Sequence, residues 1–441
     1  MIDNHSQAGS DPIDHLLSIG FRRPGTSERV PCPVRSLVFE SSLDGCERDL
    51  LADLGFPKSL GIICDPNTYD VLAKRVSTAI PDAGLIVIDK PKADEDGATA
   101  LAAQTRHAEA LIAVGSGTLN DLVKYVSHQH RRPYAVFATA PSMNGYVTAT
   151  ASISRGGEKL SLPATPPKGA FFDLATLAEA PHRLIRAGVG DSLCRSTAEL
   201  DWLLSHHLLE TVFLEAPFAI QAKDEADVLA SIDALWTGDL DAVRSLTRLL
   251  VLGGLGMLMA GNSQPGSQGE HLISHYIDMM HRPHPGSLHG EQVGLATLTV
   301  ATLQNELFTK KAAPLLKETV LDFPAMANRF GKHGDSCREA MTRKALKGEG
   351  LEKLNTRLAD AWPDICQAFK LKALPIERLR TAFDAAGMAV TPEDLGIDPG
   401  FYATAVMHAR ELRDRFTALD LAADAGLLAP FIERYLAKNT R

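Results

Sequence analysis

Over the first 180 residues, short apolar runs alternate with stretches of helical periodicity. SLGIICD (59–65) reads as a buried strand, and TYDVLAKRVSTAI (68–80), after a D-P-N turn, as a helix. GLIVIDK (84–90) is a second strand and the Ala-rich stretch 96–110 a helix. ALIAVG (110–115) runs directly into SGTLNDLVKYVSHQ, and YAVFATA (134–140) is a further strand. Strict alternation predicts parallel pairing with helices on both faces, because a parallel neighbour needs a crossover of helical length. TATASISRGGEKLSLPATP (148–166) reads as a β-hairpin or long loop, and GAFFDLATL (169–177) as one more short strand. From about 180 helical periodicity dominates to the end. The expected architecture is an α/β domain over 1–178 with a parallel sheet, followed by an all-α domain over 179–441.

Composition narrows the partners. A formal charge of −9 over 441 residues, with no long basic run, argues against nucleic acid. The six cysteines are scattered without a C-x-x-C pair, several in apolar segments, as expected of reduced thiols in a cytoplasmic protein. The N-terminus, MIDNHSQAGSDPID, is polar and lacks the charged start and apolar region of a secretory signal. RLLVLGGLGMLMAG (248–261) is too short and Gly-rich for a membrane span of roughly 20 residues.

Two stretches carry candidate chemistry. A strand ending in AVGSGTLNDLVKYV puts Gly115, Ser116 and Gly117 at the turn into a helix, whose first N–H groups and dipole suit a pyrophosphate. A Gly turn here is equally compatible with a purely structural role. Asp65, at the tip of the first strand, suits either an adenosine ribose hydroxyl or the cap of the next turn. The second stretch, GEHLISHYIDMMHRPHPGSLHGEQVG (269–294), holds five of the 15 histidines. His271 and His275 are four apart and share one helical face, while His289 follows a Pro/Gly-rich loop and begins another helical segment. Imidazole and carboxylate are the donors of a catalytic metal site. A solvated or hydrogen-bonded pair is the bland alternative, and His281 and His284 are expected to face solvent in the loop. Asp191, in RAGVGDSLCRSTAELDW, is a candidate carboxylate ligand or a helix N-cap.

Together, CDPNTYDVLAKRV, GSGTLNDLVKY, TAPSMNGYVTATASI, LPATPPKGAFFDL, RAGVGDSLCRSTAELDW, GEHLISHYIDM and LHGEQVGLAT resemble, in order, the sn-glycerol-1-phosphate dehydrogenase family. That family lies within the group of iron-containing alcohol dehydrogenases, glycerol dehydrogenase and dehydroquinate synthase. The resemblance implies a Rossmann-like domain followed by a helical domain, as in dehydroquinate synthase. It implies Asp191, His271 and His289 as ligands of one divalent metal, zinc first, with nickel or iron as alternatives. It places His275, with Asp191, at the substrate as a catalytic residue. Gly115, Ser116, Gly117, Thr118 and Leu119 would hold the pyrophosphate of NAD(H) or NADP(H). Thr139, Ala140, Pro141, Ser142 and Thr148 would line the dinucleotide, and Asp65 would contact the adenosine ribose, which favours NAD. A homodimer is also implied.

The implied activity is reversible reduction of dihydroxyacetone phosphate to sn-glycerol 1-phosphate, a step of phospholipid metabolism, with the nicotinamide in the cleft between the two halves. One departure bears on the substrate: the family motif A-P-S-M-D-G reads APSMNG here, placing Asn144 where a substrate-contacting aspartate is expected. Loss of that charge keeps open another small polyol, polyol phosphate or phosphonate alcohol. A dehydroquinate-synthase-like lyase would call for glutamate at the first metal position, where Asp191 stands. A non-catalytic dinucleotide-binding protein would require the metal site to be incomplete.

Overall fold

The computed structural model describes residues 11–156 and 158–439. Residues 1–10, which begin the stretch read above as lacking a secretory signal, lie outside the described residues, as do Gly157 of the expected hairpin and residues 440–441. Six strands form one sheet: β1 (Ser36–Glu40), β2 (Leu60–Cys64), β3 (Gly84–Val87), β4 (Ala110–Gly115), β5 (Tyr134–Ala138) and, after a hairpin of β6 (Thr150–Arg155) and β7 (Glu158–Pro163), β8 (Gly169–Asp173). Their order is β1-β8-β5-β4-β2-β3 and every pairing is parallel. β4, β5 and β8 are buried along their whole length, as expected of near-continuous apolar strands covered on both faces, with β8 ending in the buried Asp173.

The strand of this sheet missing from the sequence reading is β1, and a short antiparallel pair, Phe21–Arg22 with Arg29–Val30, lies apart from it. The five residues of β1, SLVFE, have polar ends and lie at the sheet edge, where alternation is too short to register. β1 pairs along β8, and Phe39 stacks on Phe172 with ring centroids 4.8 Å apart. The helix expected over 68–80 is present but irregular: Pro66–Thr68 and Lys74–Ala79 are α-helical, and Tyr69–Ala73 forms a π-helical turn.

The helices that matter for the site are α1 (Glu95–Gln104), α2 (Gly117–Gln129), α3 (His182–Ser192), α4 (Arg195–Leu209), α5 (Leu240–Ala260), α6 (Gly269–Met280), α7 (His289–Phe308) and α8 (Gly348–Lys372). They divide between two compact units. The first runs up to Ser192 and takes in Glu215–Asn262; the second comprises Leu193–Leu214 and the chain from Ser263 onward. The boundary expected near 178 therefore marks where the strands end, while the compact units divide at 192 and exchange two later segments.

The reason lies in glycine. α3 and α5 pack on each other and on the 3-10 turn Asn144–Val147 that follows β5. A Cβ on Gly188 of α3 would sit 1.8 Å from the Pro141 carbonyl oxygen, and one on Gly254 of α5 would sit 2.6 Å from that of Asn144. Only a bare backbone permits this approach, so both helices belong with the sheet. α5 is also longer than its apolar sequence suggested. Asp239 caps its start and Gly261, in the left-handed conformation, ends it. Its 21 residues are long and apolar enough to cross a membrane, yet 72% of its most apolar window is buried, as in a core helix.

The second unit is all-helical. Leu204, Tyr276, Leu303, Phe308, Trp362 and Tyr402 belong to one continuous core fed by α4, α6, α7, α8 and the C-terminal helices. Within it, the apolar face of α6 faces the core while its histidine face is left for polar chemistry.

All six cysteines are free. Burial, then the Asp65 charge, pushes the Cys64 thiol up to about 11; burial and Glu411 do the same for Cys337, also to about 11. Both therefore stay protonated at pH 8, and their thiolates become abundant only as the pH nears 11. A thiol reagent at pH 8 is expected to label exposed Cys46 in the native protein and to reach Cys64 and Cys337 only after unfolding, as peptide mass spectrometry would show. Labelling of Cys64 ahead of Cys46 would contradict this. Separately, Gly188→Ala should cost about 1–3 kcal/mol by denaturant unfolding, since rigid backbone obstructs the new methyl. Gly350→Ala, where a Cβ meets nothing within 4 Å of a helical position, should be neutral or stabilising by about 0.5–1 kcal/mol. Equal stability of Gly188→Ala and wild type would refute the packing account.

Candidate active site

The phosphate-loop candidates meet at the carboxyl end of β4. Ser116 is the N-cap of α2, but its side chain makes no capping bond, so the first N–H groups of the helix are left to other acceptors. Gly115 and Gly117 leave a cradle: a Cβ on Gly115 would lie 2.4 Å from Leu119 Cδ1, and one on Gly117 would lie 3.1 Å from Met143 Sδ. Thr139 lies beside them, its N–H donating to the Gly115 carbonyl at 3.3 Å. The following residues are held by Tyr146, whose hydroxyl donates to the Ala140 carbonyl at 2.7 Å. The donor set and the bare backbone suit a pyrophosphate.

Thr148 is fixed by a group the sequence reading missed. Lys124 of α2 is wholly buried, and its ammonium donates to the carbonyls of Gly145 and, at 3.0 Å, Thr150. It also reaches Thr148 Oγ1 at 3.3 Å and Asp121 Oδ1 at 3.4 Å. Burial lowers the Lys124 pKa, and the Asp121 charge opposes that shift. A lysine three residues after an aspartate, flanked by Leu122, Val123, Tyr125 and Val126, was the available signal.

Asp65 takes the capping role: its Oδ1 accepts from Thr68 N at 2.8 Å in a reciprocal capping box. Asp191 does not cap a helix. It sits in the last turn of α3, and the N-cap of α4 is Cys194. The chain turns after Ser192 rather than before Asp191, which the glycines at 188 and 190 had suggested. Asp191 is 3% exposed, and its Oδ2 accepts from the backbone N–H of Asn144 at 2.7 Å, tying two expected site residues together in the first unit.

The second unit gathers three histidines. His271 and His275 share a face of α6, and His289 opens α7; ring centroids are 5.2 Å apart for His271 and His289, 6.2 Å for His271 and His275, and 5.8 Å for His275 and His289. His281 and His284 do not join them. His284 is exposed, its Nε2 3.0 Å from Asp278 Oδ1, whereas His281, expected to face solvent, packs edge-on against Phe401 at 4.6 Å.

Hydrogen bonds set the tautomers. His271 Nδ1 lies 3.0 Å from Glu270 Oε1, an acceptor, so Nδ1 carries the proton. His289 Nδ1 lies 3.1 Å from Ser274 Oγ, whose own proton goes to Gln292 Oε1 at 2.8 Å. Gln292 is held in turn, its Nε2 donating to Asp278 Oδ1 and Ser287 Oγ, each at 3.0 Å. With both Nδ1 atoms protonated, the Nε2 lone pairs are the donor atoms, which is how second partners orient metal-binding imidazoles. Burial, together with the charges of His289 and His271, holds the His275 pKa well below the usual imidazole value. Burial pushes Glu270 up, but the hydrogen bond and charge of His271 and the Gln268 N–H bring its pKa below the usual carboxylate value. Burial and the nearby Glu270 raise Asp201 to about 7.

Glu270, Ser274, Gln292 and Cys194 were not singled out from the sequence. Cys194, Glu270 and His271 form a second cluster, with one ligand atom of each within 4.8 Å of the others. Their signal was polarity where α6 and α7 are otherwise apolar: Ser274 three residues after His271, Gln292 three after His289.

Residues 38–181 match the iron-containing alcohol dehydrogenase family. In structure the chain is similar to glycerol dehydrogenase from Schizosaccharomyces pombe (TM-score 0.62, 15% identity, covering 95% of this chain and 94% of that one). It is similarly related to NADH-dependent butanol dehydrogenase A from Thermotoga maritima (TM-score 0.60, 14% identity, 92% and 100%); these likenesses establish the fold. In sequence it is 30% identical to glycerol-1-phosphate dehydrogenase [NAD(P)+] from Pyrococcus furiosus, over 66% of this chain and 83% of that protein. It is 31% identical to the Thermococcus kodakarensis enzyme of the same name, over 70% of this chain and 88% of that protein. With that identity sustained over more than four-fifths of each relative, the chain belongs to the glycerol-1-phosphate dehydrogenase family.

Proposed function

We propose that this chain is a metal-dependent NAD(P)H oxidoreductase that reduces dihydroxyacetone phosphate to sn-glycerol 1-phosphate, reversibly. The observation that carries the reading is the pair His271 and His289, two neighbouring imidazoles whose Nδ1 protons are engaged by buried acceptors. Asp191 is the proposed third ligand, its carboxylate steadied by the Asn144 N–H. Two nitrogens and one oxygen suit zinc, and also nickel or iron. When bound, the metal would supply Lewis acidity toward the substrate oxygens, and the nicotinamide would supply the hydride.

The remaining work falls to the chain's own residues. The bare glycine turn and the first N–H groups of α2 would bind the pyrophosphate, with Thr139, Ala140, Pro141, Ser142 and Thr148 along the dinucleotide. Asp65 at the end of β2 would disfavour a 2′-phosphate, so NAD is proposed ahead of NADP. His275, kept neutral by its surroundings, carries one ring proton and one lone pair and would pass the proton that the carbonyl oxygen takes up on reduction. The overall balance is one hydride and one proton added across the carbonyl. A cytoplasmic homodimer completes the proposal, in keeping with the six free cysteines and the family resemblance.

A second reading keeps the chemistry and changes the substrate to another small polyol, polyol phosphate or phosphonate alcohol. Asn144, in place of the family aspartate, favours it. Oxidation of NADH and NADPH with dihydroxyacetone phosphate, against a panel of small aldehydes and ketones, separates the two. Turnover with the phosphate is expected, lost on chelation and restored by zinc, nickel or iron. His271→Ala and His289→Ala should lower kcat/KM at least about a hundredfold, and His275→Ala should lower kcat by about 10²–10⁴. Silence with the phosphate and turnover elsewhere would select the second reading. Full activity in His271→Ala would refute both.

A further inference from the structure

We propose that Glu270 is a positioning residue for the metal, which orients His271 and strengthens it as a ligand through a buried negative charge; this rests on the functional reading above. Glu270 is 0% exposed, in the first turn of α6, where the helix dipole favours an anion. A carboxylate is buried only when its lone pairs are occupied, and here they are. Oε1 accepts from Gln268 N at 2.8 Å and from His271 Nδ1 at 3.0 Å; Oε2 accepts from Thr197 Oγ1 at 3.2 Å. Compensating positive charge is close by in Arg415, whose guanidinium is tied to the Ser267 carbonyl and the Ser263 hydroxyl.

Adjacent residues on a helix point about a quarter-turn apart, so Glu270 approaches His271 from beside it rather than from the same helix face. It reaches the ring from the side, at the nitrogen opposite Nε2. An anion there pushes electron density through the ring toward Nε2 and disfavours the other tautomer. His289 is treated differently: its acceptor, Ser274 Oγ, is neutral. At Nδ1, then, His271 meets a charged acceptor and His289 a neutral one.

The competing reading is that Cys194, Glu270 and His271 themselves ligate a cation. A cation held there through His271 Nδ1, the nitrogen that faces Glu270, would displace the Nδ1 proton. Retention of the Nδ1–H bond separates the two.

The test is zinc affinity of the full-length protein, by competition with a chromophoric chelator, for wild type, Glu270→Gln and Glu270→Ala, with ¹⁵N NMR of the imidazole Nδ1–H. Gln keeps the acceptor oxygen and can donate to Thr197, so it preserves orientation and removes only the charge. Glu270→Gln should weaken zinc binding about tenfold and Glu270→Ala about a hundredfold. The His271 Nδ1–H signal should persist in wild type with zinc bound and vanish in Glu270→Ala. If Glu270→Ala fails to fold, Glu270→Gln decides. Zinc affinity within twofold of wild type in Glu270→Gln, or loss of the Nδ1–H signal when wild type takes up zinc, would overturn the proposal while leaving the enzyme reading intact. Absence of binding of zinc, nickel and iron alike by wild type would overturn both.

Discussion

Everything proposed for this chain depends on where two imidazole protons reside. A neutral histidine has one donor and one acceptor nitrogen, and a buried acceptor beside one of them settles which is which. Glu270 does this for His271, and Ser274, backed by Gln292 and Asp278, does it for His289. The proton-bearing nitrogens are committed to the protein, so the lone pairs are pre-arranged without waiting for a ligand. Such preorganisation is what makes a site on rigid helices selective, because little reorganisation is left to pay for when the ligand arrives.

The first unit is preorganised by different means. Its loop after β5 is compressed between α2, α3 and α5, and glycine permits the compression. Lys124 then pins the far side of the same loop from within the core, holding two backbone carbonyls with one ammonium. Bare backbone and a buried cation thus shape the segment that contains Thr139, Asn144 and Thr148. Asp191 accepts from that segment, and its position in α3, two residues before the chain enters the second unit, links the loop to the helical half through covalent connection.

Periodicity revealed the alternating strands and helices because β2, β4, β5 and β8 are either fully apolar or nearly so. It failed for β1, whose five residues carry too little pattern, and it put the end of the first unit at the last strand. Glycines inside helices look like weak helix formers in a sequence; that Gly188 and Gly254 are contact points appears only once the opposing carbonyls are known. Among the site residues, the histidines stood out by number, and their i, i+4 spacing was informative. What spacing could not supply was any distinction between His271 and His275; the separate roles proposed for them come from the family resemblance alone. Glu270, Ser274 and Gln292 touch the imidazoles at Nδ1 or stand one bond further back; Glu270 meets its own neighbour His271, while Ser274 on α6 meets His289 and Gln292 on α7, a pairing that sequence spacing does not reveal. Asp191 as an N-cap was a reasonable reading of G-V-G-D that failed because α3 continues through those glycines.

X-ray absorption fine structure of the zinc-loaded protein tests the central claim most directly, because it reads donor atoms irrespective of turnover. Two imidazole nitrogens with oxygen donors at about 2.0–2.2 Å, and no sulfur, is the predicted first shell. A sulfur at about 2.3 Å, which would implicate Cys194, or a shell without imidazole, would contradict it.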